Sequence, residues 1–203
     1  MEDDDALAEL IIRNIVDLEH SLMFLEDEIK PRLAEAIFDI IEEGAGFGDW
    51  YIDDRTDPGG WFCPEEWRIG PENKPNAAIW FQIETPEDEP WKTWAGRFAG
   101  GSNTATTAAC MVRYNWLGKR QWQEIRNSLP DEMAKIRSAG FVVDGDRIYF
   151  SLPLDRESLA QAFKEGDPRQ ALGRIQSLSE ALDIAMPAFR SLHAAQAKVI
   201  AGE

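Results

Sequence analysis

The chain has 203 residues, 44% of them hydrophobic and 10% aromatic, and a net charge of −16. That composition supports a packed core and excludes an intrinsically disordered chain. No apolar run reaches about 18 residues, which excludes a membrane-spanning helix, and the acidic start MEDDDALAEL has the wrong charge for a secretory signal.

The acidity is uneven. Residues 1–90 hold 25 acidic and 6 basic residues, a balance of −19, whereas residues 91–203 hold 12 acidic and 15 basic, a balance of +3. An acidic surface repels phosphates and favours a basic partner. The expected location is cytoplasmic, with Cys63 and Cys110 as free thiols.

In chain order, Asp3, Asp4 and Asp5 are placed to cap a helix and favour its dipole. Ile11, Ile15, Leu18, Leu22, Leu25 and Ile29 then recur at alternating spacings of four and three, the seam of a heptad helix. Pro31 either opens a second helix or kinks a continuous one, and GAGFG ends the segment. All eight tryptophans lie between residues 50 and 122, where DWYIDD, GWFCPEEWRI, AAIWFQIE and TTAACMVRYNW predict antiparallel strands. Asp57–Gly60 predicts the turn between the first two. Residues 118–138 return to helix, with Pro130 starting its second piece. GFVVDGDRIYFSL predicts a hairpin joined at Asp144–Gly145. A short helix follows, with Asp155 as cap and Gly166 as stop. Asp167–Pro168 opens a last helix of about 33 residues, seamed by Ala171, Ile175, Leu178, Leu182, Ala185, Phe189, Leu192, Gln196 and Val199 and bent by Pro187.

The expected fold is α+β, an antiparallel sheet of four to six strands packed by long N- and C-terminal helices. It is expected to be a single domain over 1–203: a helical segment at 1–43, a Trp-rich sheet at 44–117, and helices with a hairpin at 141–151 over 118–203.

Little in the sequence points to catalysis. The two histidines, His20 and His193, sit inside long helices, and Cys63 and Cys110 lie far from both, so neither a zinc site nor a Cys–His pair is expected. Both cysteines are expected as small buried hydrophobes in adjacent strands. There is no G-x-S-x-G elbow and no phosphate loop of the Walker type. No cofactor or metal is expected. Asp53–Asp54 and Glu65–Glu66 sit near strand ends, where strand alternation sends one member of each pair to solvent.

The order of PRLAEAIFDIIEE, WFCPEEWRI, IWFQIE and CMVRYN before a terminal helix resembles a small α+β module of bacterial PD-(D/E)XK nuclease superfamily proteins. The resemblance spans roughly residues 31–200. It implies a divalent-metal nuclease whose carboxylates would be Asp53, Glu66 and Glu84. That chemistry needs an E-x-K, and two places after Glu84 stands Pro86, so the pattern lacks its lysine.

The aromatics have a second use. Trp80 and Phe81 point to opposite sides of one strand, so both sheet faces carry rings. Trp91 and Trp94 in PWKTWAGR are the tryptophans expected at the surface, and tryptophan concentrates at the energetic centres of interfaces. Stacking on single-stranded nucleic acid needs a basic groove, and the window to residue 90 is acidic, so direct nucleic-acid binding is not expected; Arg97, Arg113, Lys119, Arg120 and Arg126, which follow it, are the residues from which a local basic strip would be built. The expected function is a non-catalytic acidic interaction module for a protein with a basic surface, a regulator or inhibitor of a nucleic-acid-handling protein. Its expected contact residues are Trp91, Trp94, Asp53, Asp54, Glu65, Glu66, Glu87, Asp88 and Glu89. The alternatives are the nuclease and a homodimer paired through its heptad helices.

Overall fold

A computed structural model of the chain describes residues 2–44, 49–68, 77–84 and 108–202. The protein is α+β. A six-stranded antiparallel sheet, β1 (Trp50–Ile52), β2 (Trp61–Pro64), β3 (Ile79–Glu84), β4 (Ala109–Tyr114), β5 (Val142–Asp144) and β6 (Arg147–Ser151), runs in the order β1-β2-β3-β4-β6-β5. Among the described residues the α-helices are α1 (Glu2–Arg13), α2 (Ile15–Phe24), α3 (Lys30–Gly44), α4 (Lys119–Ser128), α5 (Pro130–Ser138), α6 (Arg156–Glu165) and α7 (Gly173–Ala201).

Alternation decides which side of the sheet is core. Ile79, Phe81 and Ile83 of β3 are buried, while Trp80, Gln82 and Glu84 on the other side are half-buried. Across the register, Phe81 faces Phe62 and Val112, and Ile83 faces Cys110. Helices α3 and α7 cover this face. Phe38 of α3 meets Phe62 edge-on, and Phe189 of α7 meets both Phe81 and Phe141 edge-on. Rings so arranged gain from their quadrupoles beyond the area they bury.

The seam of the last helix is the core. Ile175, Leu178, Leu182, Ala185, Phe189, Leu192 and Gln196 are all buried along α7. Gln196 is polar for a reason: its Nε2 donates to the Ala78 carbonyl at 3.1 Å and the Asn115 carbonyl at 2.7 Å, tying the helix to the ends of β3 and β4. The predicted start is corrected. Asp167 and Pro168 open a 3₁₀ turn over Pro168–Ala171, and α7 begins at Gly173.

Three local expectations are also corrected. Asp3, Asp4 and Asp5 lie within the first turn of α1 rather than before it. The hairpin pairs Asp144 with Arg147, so its two central residues are Gly145 and Asp146. Gly145 has φ 52° while Asp146 stays out of the positive region, the II′ pattern with glycine first. Helix α4 holds this turn: Trp122 Nε1 donates to the Asp146 carbonyl and Arg126 to the Gly145 carbonyl, at 3.2 and 2.7 Å. Finally, Pro64 ends β2 and a 3₁₀ turn, Glu65–Trp67, follows, so Trp61 and Trp67 do not share a strand.

The N-terminal helices run almost without a break into α3. Asn14 is the one non-helical position, and its side chain donates back to the Leu10 carbonyl at 2.8 Å. A π turn, Leu25–Ile29, then comes just before Pro31. Proline has no N–H and its ring clashes with the carbonyl four residues back. A wider turn upstream absorbs that conflict, so the helix continues through Pro31.

Candidate protein-interaction surfaces

The described body carboxylates singled out from sequence fall on turns or at a strand end, and each has a partner. Asp53 follows β1, and the Tyr51 hydroxyl donates to its Oδ1 at 3.3 Å. Asp54 closes a turn by accepting from the Thr56 N–H and hydroxyl at 2.8 and 2.7 Å. Those two hydrogen bonds hold its carboxyl below the ordinary range. Glu65 and Glu66 share the 3₁₀ turn but diverge, Glu65 to Arg68 and Glu66 to Arg190 of α7, each at 3.0 Å. Glu84 at the end of β3 pairs with Arg113 through both of its oxygens. Glu43 pairs with Arg169, whose hydrogen bond keeps its carboxyl low. Three arginines of the second half of the chain thus stand against three glutamates of the first.

The candidate nuclease set is not brought together. Asp53, Glu66 and Glu84 sit on three separate elements with three separate partners. Among the described residues no three His, Cys, Asp or Glu side chains converge as metal ligands. Trp91, Trp94, Glu87, Asp88 and Glu89 lie outside the described residues.

Cys63 and Cys110 are free and buried. They are not on adjacent strands: β3 separates β2 from β4, and this corrects the earlier expectation. Burial pushes the Cys63 thiol up to about 12, and the Cys110 thiol higher still, so neither is a thiolate near neutral pH. His193 stacks flat on Trp67, 4.8 Å between centroids, and burial lowers its pKa. An open cleft of about 260 Å³ lies beside Gly140, Phe150 and Ile184. The one guanidinium lining it, Arg174, lies over the Phe150 ring at 4.8 Å and donates to the Ser151 carbonyl at 3.0 Å.

The densest unbalanced charge lies in the N-terminal arm. Residues 2–29 hold ten acidic residues against Arg13 as their one lysine or arginine. Among its described side chains, Glu9 pairs with Arg13, and Glu26 pairs with Lys30 of α3. The same arm leaves its apolar seam in water. Helix α2 has no buried residue, and Ile11, Ile15, Leu18 and Leu22 are 44–50% exposed. Ile12, Val16, Met23 and Phe24 are more exposed still. Apolar stripes left in water in this way are what interaction surfaces present.

One exposed tryptophan was missed from sequence. Trp116, just after β4, is 53% exposed and has φ 61°. A bulky residue in the left-handed region is strained by about 1–2 kcal/mol. The signal was its place between a strand end and Gly118, the N-cap of α4, where a connecting residue has no strand neighbour to cover it.

No family model, no curated protein and no solved structure matches this chain.

Proposed function

We propose that this protein is a non-catalytic interaction module that engages a protein with a basic surface through the acidic first part of its chain. In its sharpest form it regulates or inhibits a nucleic-acid-handling protein, with carboxylates standing where phosphates would otherwise sit. The observation that carries this reading is the arm over residues 2–29, with ten acids against a single arginine. The body contributes less than the sequence suggested, because Glu43, Glu66 and Glu84 are met by Arg169, Arg190 and Arg113. Trp116, exposed on a strained backbone, is a second contact candidate on the body.

A displacement assay tests the reading. A basic DNA-binding protein is loaded on a labelled duplex and titrated with this protein at low ionic strength. Release of the duplex is expected, with most of the effect gone between about 50 and about 200 mM salt. Duplex that stays bound, or release indifferent to salt, removes the acidic-surface reading.

A further inference from the structure

The arm carries more than charge. Four of its exposed apolar side chains, Ile11, Ile15, Leu18 and Leu22, fall in a heptad register that continues to Leu25 and Ile29. Ile15, Leu22 and Ile29 occupy one core position (a) and Ile11, Leu18 and Leu25 the other (d). In α7 the same 4,3 spacing is buried against the sheet and α3, so there the seam has found its cover. In the arm, Leu25 and Ile29 are half-buried where the arm joins the body, and Ile11, Ile15, Leu18 and Leu22 stay in water. A 4,3 seam is shaped for one other helix, whose side chains insert between these knobs.

The flanks say which helix. The positions beside the seam are Ile12, Glu19 and Glu26 on one side and Asn14, Ser21 and Glu28 on the other. Neither flank holds a lysine or arginine. A second copy of this chain would set two arms of the same strong negative charge side by side. Like charges at these positions oppose pairing, whereas lysine or arginine on the incoming helix meets Glu19, Glu26 and Glu28 with opposite sign. The same acidic face disfavours an anionic bilayer.

From these observations we infer that the arm, through Ile11, Ile15, Leu18 and Leu22, forms a coiled coil with an amphipathic helix of a different protein whose seam is flanked by lysine or arginine. This deepens the acidic-module reading and rests on it. The charge gathers the partner, and the seam selects one that is helical and in register.

The test uses the full chain and two synthetic peptides. The first has three heptads with isoleucine at a, leucine at d and lysine on both flanks. The second has the same composition in shuffled order. Binding is followed by calorimetry and by the gain in far-ultraviolet helical signal on mixing. The heptad peptide is expected to bind about tenfold or more tightly than the shuffled one and to gain helix on binding. The double variant Leu18→Ser/Leu22→Ser should lose that preference and keep the thermal midpoint of the parent, since both side chains already stand about half in water.

Equal binding of both peptides, unchanged in the double variant, overturns the coiled-coil proposal and leaves the acidic-module reading standing, since the duplex displacement assay needs no seam. Absence of binding by either peptide overturns the proposal. So does concentration-dependent self-association in sedimentation that the double variant abolishes, because the occupant is then a second copy. Flotation with neutral phosphatidylcholine vesicles that depends on Leu18 and Leu22 overturns it as well, in favour of a lipid surface.

Discussion

His193 shows how one packed contact sets a pH response. Its ring is stacked on Trp67 and its Nε2 has no hydrogen-bond partner among the described residues. Burial is the larger influence and lowers its pKa, against a weaker upward pull from Glu66. The folded protein therefore takes up this proton at lower pH than the unfolded chain does. Its contribution is complete above the unfolded value of about 6.5 and is lost as pH falls toward the folded value. Urea unfolding at a series of pH values below neutrality should show declining stability, and His193→Gln should flatten that decline. Parallel slopes in the two proteins would reject the assignment. The carboxyls of Asp54 and Asp155, lowered by Thr56 and Ser158, work in a separate window: their stabilisation is present above about pH 4 and is lost only on further acidification. A second residue-scale expectation concerns Trp116. Asparagine tolerates the left-handed region, so Trp116→Asn should leave folding stability unchanged or raise it by up to about 1 kcal/mol. If it unfolds the protein instead, Trp116 is a packing residue and not a contact. Some residue-scale features were legible from chemistry alone. Asp155 does cap α6, and Gly166 does end it with φ 85°. Trp116 could not be read from aromatic type, which alone does not separate a core ring from a surface one; only its place in the connection before Gly118 pointed to exposure.

At the scale of elements, α3 approaches α7 closely at Gly44. Gly44 closes α3, and a β-carbon there would collide with the Ser179 side chain of α7, whose hydroxyl donates to the Ile41 carbonyl at 3.4 Å. Gly44→Ala should therefore cost about 1–3 kcal/mol, the cost of overpacking a fitted contact. Ser179→Gly on its own should also destabilise, through the glycine it puts inside a helix. Placed in the Gly44→Ala background, it should recover part of the loss. Additive chemical-denaturation energies in that cycle would show that the two positions do not touch. Periodicity made most elements readable. The 4,3 repeat marked α7, alternation marked β3, and Pro130 marked the start of α5. It could not say what covers a helix. The repeats of α2 and α7 look alike in sequence, yet one is in water and the other in the core. Nor did proline spell out its own accommodation: Pro31 was read as a start or a kink, and a π turn upstream lets the helix pass through it.

For the whole molecule, charge and burial divide the chain into an arm and a body. The cluster of buried apolar side chains begins at Leu33 and draws on the sheet, α3 and α7, with none of its members in α1 or α2. Net charge read along the sequence could not show this. Arginines distant in sequence meet the body carboxylates only once the chain is folded, as Arg190 meets Glu66. Such exposed pairs each contribute between about 0 and 1 kcal/mol, so their main effect is to mask charge rather than to hold the fold. The masking of Glu43, Glu66 and Glu84 leaves the arm, with ten acids against one arginine, as the most densely acidic segment. Two consequences can be separated experimentally. Deleting residues 2–24 removes no buried side chain among those described, so the thermal midpoint of the remaining chain should stay within a few degrees of the parent. The same deletion removes seven acids and one arginine, so displacement of duplex DNA from a basic protein should weaken and its salt dependence become shallower. A collapsed midpoint would mean that the arm is part of the fold. An intact midpoint with undiminished displacement would move the interaction surface to the body, with Trp116 as the first residue to replace.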